Sequence, residues 1–499
     1  MISSFTAQEK KLLENILRFA KKKRIKLYLV GGYLRDIILK RQKVNPDIDF
    51  CLKRGAINFG RILAKEIKSG FVVLDKEHGC CRLVKRINPV RDSKVANKKY
   101  GVSNGVKDTV YTLDFTDFRG KNLESDLMQR DFTINALAAE LENILKQNCH
   151  FDSFLIDPLK ARADLKSKTI KAATKKGFDA DPLRILRAFS LSAIFDFKIE
   201  RETLRLIKIK REKLADVSYE RIRDELFKIL DRPDAFQYLL KLDKLRILTI
   251  ILPEIEVMRG VKQGPYHHLD VWKHTLETIR QLEFLIQERK YNKEIQGYLN
   301  EVVSSERRRR ALIKLGALLH DIGKPRAKRH KDGKTMFHGH ERIGLEMTEN
   351  IAKRLKLSND ELDSLEKMVF WHLRPGYLAD NEEITPRATF RYFRDTAQES
   401  VSILLISIAD QRSTKGPLTS TTSRRHHEKI VLNLIKEYFR RKKEKRLPRL
   451  ISGDDLIEKF KLEPSPLIGK ILSEVEELQA IGKIKTKKEA LEVARKFIR

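Results

Sequence analysis

The stretch LVGGYLRDIILKRQKVNPDIDF, residues 29–50, decides how the first part of the chain is read. An apolar run, RIKLYLV (24–30), ends in Gly31 and Gly32, and YLRDIILK (33–40) continues with apolar residues at helical spacing. A strand that turns through two glycines into a helix lets backbone amides approach phosphate at the positive end of that helix. Arg35, one turn in, is placed to pair with a triphosphate. Asp47 and Asp49 are separated by one residue, so on an extended strand both carboxylates project to the same face. They repel each other unless a cation sits between them. A hard divalent ion such as magnesium suits oxygen ligands of this kind and supports two-metal phosphoryl transfer. Alone, an Asp-x-Asp reads as an exposed turn; with the glycine pair and Arg35 it points to a nucleotide site with a metal beside it.

Working outward, residues 5–23 read as a helix, and IDFCL (48–52), GFVVLD (70–75), CRLVKRI (81–87) and TVYTLDF (109–115) read as strands. This predicts a small mixed α/β domain. Residues 88–108, polar and rich in Lys, Asn and Gly, read as a hairpin insertion exposed to solvent. From Asp181 onward the periodicity is helical, with breaks near Pro253, Gly264 and Pro375, so the expected class is α+β: a mixed head followed by all-α domains.

A chain of 499 residues with 41% hydrophobic content is long enough for three or four cores. No run approaches the length of a membrane span, and the N-terminal stretch reads as an amphipathic helix rather than a signal peptide, so a soluble cytoplasmic protein is expected. Cys51, Cys80, Cys81 and Cys149 lack zinc-like spacing and read as reduced bystanders. The net charge of +34, from 103 Lys and Arg against 69 Asp and Glu, favours a polyanionic partner, nucleic acid first. Basic runs at 307–310 and 424–449 read as solvated helix faces or as an RNA-backbone track.

Two further stretches carry polar chemistry. In DLMQRDFTINALA (126–138), Arg130 and Asp131 precede an apolar segment expected to be helical, with Asp131 as its cap and Arg130 oriented toward phosphate. In DPLRILRAF (181–189), Asp181 reads as the cap and Pro182 as the first helical residue. Asp181, Arg184 and Arg187 then share one polar stripe. That stripe suits either surface ion pairing or hydrogen bonding to a base edge and a phosphate.

Together these motifs resemble the class II tRNA nucleotidyltransferase and bacterial poly(A) polymerase family. LVGGYLRD with DIDF, SDLMQRDFTINALA, IDPLKARADLKSKTIKA with DADPLRILRA, and SYERIRDEL (218–226) occur in the family's order over residues 25–230. The resemblance implies template-free addition of nucleotides to an RNA 3′ end. Asp47 and Asp49 would hold the metal ions; Gly32, Arg35, Arg130 and Arg187 would contact the triphosphate; Asp181 with Arg184 would read the base, supported by the SYERIRDEL helix. Two positions depart from the pattern: Ala180 stands where relatives usually have an acidic residue, and Ser190 where they often have another arginine. Each loses a polar contact without removing the metal pair or the reader.

A second constellation comprises His274, His320 with the adjacent Asp321, His340, His372 and Asp410. Imidazole and carboxylate together suit a transition metal or magnesium. Residues 265–415 resemble the HD-domain phosphohydrolases, with His274, His320, Asp321 and Asp410 at the four metal-ligand positions and His340 and His372 at positions used by two-metal members. The resemblance implies hydrolysis of a phosphomonoester or cyclic phosphodiester at a divalent metal. The implied organisation is a catalytic head (1–155), a neck with the nucleotide-reading helix (156–262), an HD domain (263–420) and an RNA-binding helical tail (421–499). The expected activity is completion of the tRNA 3′ CCA end from CTP and ATP with Mg2+, with an HD-dependent repair step. The alternatives are a poly(A) polymerase, a partial enzyme adding CC or A, or an HD phosphohydrolase whose head only binds RNA.

Overall fold

The computed structural model describes residues 5–41, 43–87, 109–146, 151–288, 293–381, 383–444 and 448–498. The 88–108 insertion and Cys149 lie outside them. The chain divides into two compact units, Met1–Val217 and Ser218–Arg499.

In the first unit, α1 (Ala7–Lys22) opens with a capping box between Thr6 and Glu9, which satisfies two amides that a helix start otherwise leaves unpaired. Then follow β1 (Tyr28–Val30), α2 (Gly32–Ile38), β2 (Asp47–Leu52), α3 (Ala56–Glu66), β3 (Gly70–Asp75), β4 (Cys80–Ile87), β5 (Thr109–Asp117), α4 (Leu123–Met128), β6 (Ala138–Glu140) and β7 (Leu155–Ile156). The strands form one sheet in the order β3-β4-β5-β2-β1-β6-β7, with β2 and β5 parallel and the other neighbours antiparallel. Alternation along the central pair separates two chemistries. Phe50 and Phe115 stack at 4.7 Å, and Phe59 of α3 packs against Phe115 and against Phe19 of α1, both at 5.4 Å. Their register neighbours Asp49 and Asp114 point the other way.

Two expectations for this unit need correction. The segment after Asp131 is not a helix: a 3-10 turn (Thr133–Asn135) leads into β6. The Asp131 carboxylate takes the Phe132 amide and the Asn135 side chain, while residues 132–139 are buried, which suits an inner strand better than an amphipathic helix. The second helix runs over Arg184–Phe195, starting later than Pro182. Leu183, not Asp181, takes the cap position; the Asp181 carboxylate accepts from the Leu183 amide at 3.2 Å ahead of the helix, and the lead-in closes with tight bonds from Arg184 and Ile185 to the carbonyls of Asp181 and Pro182.

The second unit is mainly helical. The helix Ser400–Ser413 is buried along most of its length and packs against Val271–Gln287, Arg309–Leu319 and Asn359–Trp371. Small two-stranded ribbons at 302–308 and 329–336, and one at 169–170 with 198–199 in the first unit, interrupt the expected all-α pattern. Helices Gly453–Phe460, Pro466–Ala480 and Lys487–Ile498 share a core around Leu456, Ile471, Val475 and Ala490. The four arginines at 307–310 do not form a helical RNA track. Arg307 and Arg308 lie in a ribbon, and the four side chains meet Glu361, Asp231, Glu399 and Gln296 in turn. No helix among the described residues is long and apolar enough to cross a membrane.

Gly60 of α3 faces β4 so closely that a Cβ there would lie 2.5 Å from Cys81 Sγ. Gly60→Ala is expected to destabilise the first unit by about 1–3 kcal/mol through overpacking, read as a lower denaturation midpoint.

Candidate active sites

The first site lies where β2 runs beside β1 and α2 begins. Gly31 adopts φ +74°, and a Cβ on it would lie 2.9 Å from Arg130 Nη1 and 3.2 Å from Asp49 Oδ2. Glycine is therefore required both for the backbone and for the space between a guanidinium and a carboxylate. Burial pushes the Asp49 carboxyl up to about 6; Arg130 opposes this, and the neighbouring Asp114 and Asp47 add to it. Asp114 is held by Arg82 through two bonds of 2.8 Å, so a ladder of Asp49, Asp114 and Arg82 crosses three adjacent strands. Asp47 is exposed, with Lys43 at 3.4 Å. A carboxylate raised by burial and by like charge, beside a space kept clear by glycine, fits a divalent cation.

The expected phosphate and base contacts surround this point, and most are braced by the protein itself. Arg130 pairs with the buried Asp126 at 3.2 Å. Arg35 is buried, forks onto Asp36 at 2.8 and 2.9 Å, donates to Asn135, and lies over the Phe195 ring at 4.3 Å. Asn135 donates to Asp131, and Asp131 meets Arg187 Nε at 2.7 Å. Burial would raise the Asp131 carboxyl, but Arg187, Asn135 and the Phe132 amide outweigh it and hold the group below its ordinary range. One polar relay thus joins α2, the 131–135 turn and the Arg184–Phe195 helix. Arg184 is not offered to a base edge here: its two Nη atoms donate to the carbonyls of Arg130 and Gln129 at 3.0 Å. Gly32 caps nothing by itself but starts α2, with Arg35 Nη2 3.2 Å from where its Cβ would be. Ser190 is buried and its hydroxyl turns back onto the Arg187 carbonyl.

The second site is assembled in the other unit, at helix ends and from facing helices. His320 follows Arg309–Leu319, His372 follows Asn359–Trp371, and His340 starts His340–Arg354. Each donates Nδ1–H to the carbonyl three residues earlier, on Ala317, Val369 and Phe337, at 2.8, 2.6 and 2.8 Å. Carbonyls of the last helical turn fix the His320 and His372 rings with Nε2 inward, and the Phe337 carbonyl, just ahead of a helix start, does the same for His340. His274 Nε2 lies 2.8 Å from Asp410 and 3.7 Å from Asp321, and Asp321 lies 3.2, 3.5 and 3.8 Å from the Nε2 atoms of His320, His340 and His372. The donors form two groups, His274 with His320 and Asp410, and Asp321 with His340 and His372. Burial and the neighbouring imidazoles push His372 down to about 3, so it is neutral. Its Nε2 faces that of His340 at 3.3 Å, so both inward nitrogens converge on one point beside Asp321. Together with Asp321, that arrangement fits a divalent metal. Asp321 is held well below its ordinary range because His320 and Lys324 overcome the effect of burial.

Known proteins agree with this geometry. Residues 27–171 match the poly A polymerase head domain, 196–258 a probable RNA and SrmB-binding site of polymerase A, and 271–415 the HD domain. The A-adding tRNA nucleotidyltransferase of Deinococcus radiodurans is 30% identical over 380 residues, covering 74% of this chain and 78% of that protein. The chain belongs to the class II tRNA nucleotidyltransferase and poly(A) polymerase family. The CC-adding tRNA nucleotidyltransferase of Synechocystis is 25% identical over 94% of this chain and 93% of its own. The fold is that of the Thermotoga maritima CCA-adding enzyme complexed with tRNA, with a TM-score of 0.60 at 20% identity over 100% of this chain and 97% of the other.

As a member of this nucleotidyltransferase family the chain has site residues that the motifs alone did not single out. Asp114 and Arg82 were hidden because strand order, not spacing, brings β5 beside β2 and β4 beside β5. Asp36, Asn135 and Asp131 act through the relay. In the HD site, Lys324 contacts Asp321 Oδ2 at 2.7 Å and Gln263 at 2.8 Å, and His267 meets the His274 ring edge-on at 4.8 Å. Lys324 follows His-Asp by only three residues and was the one legible signal.

A folded-state pKa above the unfolded value means that ionised Asp49 costs the metal-free fold stability at neutral pH, a cost that disappears as pH falls from about 6 toward 3.8. Asp49→Asn is therefore expected to raise the melting temperature of metal-free protein at neutral pH, by about 2–4 °C per kcal/mol relieved, and to flatten its pH dependence in that window. A lowered melting temperature contradicts this account of Asp49.

Proposed function

We propose that this nucleotidyltransferase completes the 3′ CCA end of tRNA from CTP and ATP, with Mg2+ at Asp47 and Asp49, in the cytoplasm. The observation that supports it most is the Asp49 carboxylate, raised by burial and set beside the Gly31–Gly32 turn and Arg130. A bound divalent ion would lower the pKa of the attacking RNA hydroxyl and neutralise charge on the departing pyrophosphate. The terminal 3′-oxygen bonds to the α-phosphorus, the bond to pyrophosphate breaks, and the hydroxyl proton leaves. Gly32 and α2, Arg35, Arg130 and Arg187 hold the triphosphate in line, with Asp36, Asp126 and Asp131 fixing the guanidinium planes. Asp181 and Arg184 read the base, for which Arg184 exchanges its two carbonyl partners for the base edge. In this reading the chain comprises a head (1–155), neck (156–262), HD domain (263–420) and tail (421–499).

The HD centre, with a divalent ion at His274, His320, Asp321 and Asp410, removes a terminal 2′,3′-cyclic phosphate. Water oxygen bonds to phosphorus, one ribose P–O bond breaks, and a proton passes to the released oxygen. Lys324, held at Asp321, keeps the buried carboxylate ionised and so available to the ion.

The two relatives add A and CC, the two parts of CCA, and this favours a second reading in which the chain adds only one part. Both names are those of tRNA enzymes, and the poly(A) polymerase reading is not favoured. Incorporation of labelled CTP and ATP into tRNA lacking CCA, sized to single nucleotides, separates them. Two additions with CTP and a third with ATP are expected; a stop after CC, or addition of A only to a CC end, establishes the partial enzyme. Asp49→Ala should remove incorporation by about 10³-fold or more and spare hydrolysis of cyclic phosphate, and Asp321→Ala should do the reverse.

A further inference from the structure

Between Asp321 and His340, two of the three donors in the HD centre's second group, the chain makes an exposed hairpin, Arg329–Lys331 paired with Lys334–Met336. Its base is pinned to the metal site: a Cβ on Gly323 would lie 2.1 Å from the His340 carbonyl, and Lys324 Nζ sits 5.7 Å from the Phe337 ring. Its tip turns through Asp332 and Gly333, both at positive φ, the tight turn that suits a two-residue hairpin. Each three-residue arm reaches about 10 Å from that base.

The charges on this hairpin are arranged against its own stability. Lys331 and Lys334 are direct cross-strand partners, and Arg329, two residues from Lys331, shares their face. Like charges directly opposite on paired strands are destabilising. Lys328 to Lys334 are all exposed, and none of Lys328, Arg329, Lys331 and Lys334 has a carboxylate partner among the described residues. By contrast, Arg307, Arg308 and Arg309, and Arg440, Arg441, Lys442 and Lys443, meet protein carboxylates. A row of cations without carboxylate partners, on a hairpin whose base adjoins the HD centre, is relieved by a polyanion lying along it.

The geometry points to this hairpin as a grip for the phosphate backbone of an RNA strand whose 3′ end enters the HD centre, so that the centre acts on RNA ends rather than on free cyclic nucleotides. This rests on the phosphohydrolase reading above. The test compares hydrolysis of a mononucleotide 2′,3′-cyclic phosphate with that of a short RNA ending in the same group, by the full chain loaded with divalent metal. The variant combines Arg329→Ser, Lys331→Ser and Lys334→Ser, which removes the repulsion and is expected to fold at least as well. The ratio of RNA to mononucleotide kcat/KM should fall about tenfold, through KM, and the salt slope of log KM should shrink by about 0.7 for each phosphate the hairpin no longer grips. An unchanged ratio and slope overturn the proposal. If the parent chain hydrolyses neither substrate, the phosphohydrolase reading fails instead, and the hairpin is judged by photocrosslinking the same RNA with 4-thiouridine beside its end. Crosslinks within 328–336 that disappear in the triple variant support the grip, and their absence overturns it.

Discussion

A carboxylate buried beside another carboxylate is unstable until positive charge is supplied, and the first unit is organised around that constraint at Asp49. The parallel pairing of β2 with β5 forces Asp49 and Asp114 onto one face while Phe50 and Phe115 stack on the other. The aromatic face fixes the register, so the acidic face cannot relax by slipping. Arg82 answers Asp114 fully, whereas Arg130 answers Asp49 only in part, because it is shared with Asp126. What remains beside the Gly31 turn is a carboxylate that Arg130 neutralises only in part.

The second unit meets a related constraint by different means. Its donors are imidazoles and two carboxylates, and the rings of His320, His340 and His372 are each aimed by a carbonyl three residues earlier, at helix C-terminal ends for the first and last. At His320 and His372, helix termination and ligand orientation are therefore one event. The head instead relies on a relay of side chains, from Asp36 through Arg35, Asn135 and Asp131 to Arg187, to hold its cations. Such a relay can exchange partners when substrate arrives; a closed set of imidazoles is better suited to keeping one ion in place.

The strands up to Asp117 and the helices α1 and α2 were legible because they depend on local spacing, such as alternation around Asp47 and Asp49 and glycines after a strand, and so was the His-Asp pair after an apolar helix; α3 was not read. The segment after Asp131 was misread because a buried inner strand and a buried helix have the same apolar composition, and only its carboxylate bonds to Phe132 and Asn135 distinguish them. The arginines at 307–310 looked like a surface for RNA since sequence does not show where Glu361 and Glu399 fall. Asp114 and Arg82 were invisible as site residues for the same reason: they become neighbours of Asp49 only through the strand order of the sheet.

The account holds that one chain carries two separate metal centres, each built by its own unit. Titration of the metal-free chain with Mn2+, followed by the paramagnetic resonance of free ion, tests this most directly when repeated on Asp49→Ala and Asp321→Ala. The account predicts two classes of bound ion, one abolished by each substitution and the other retained. Binding that disappears from both classes with either substitution, or a parent chain that binds no Mn2+, would contradict it.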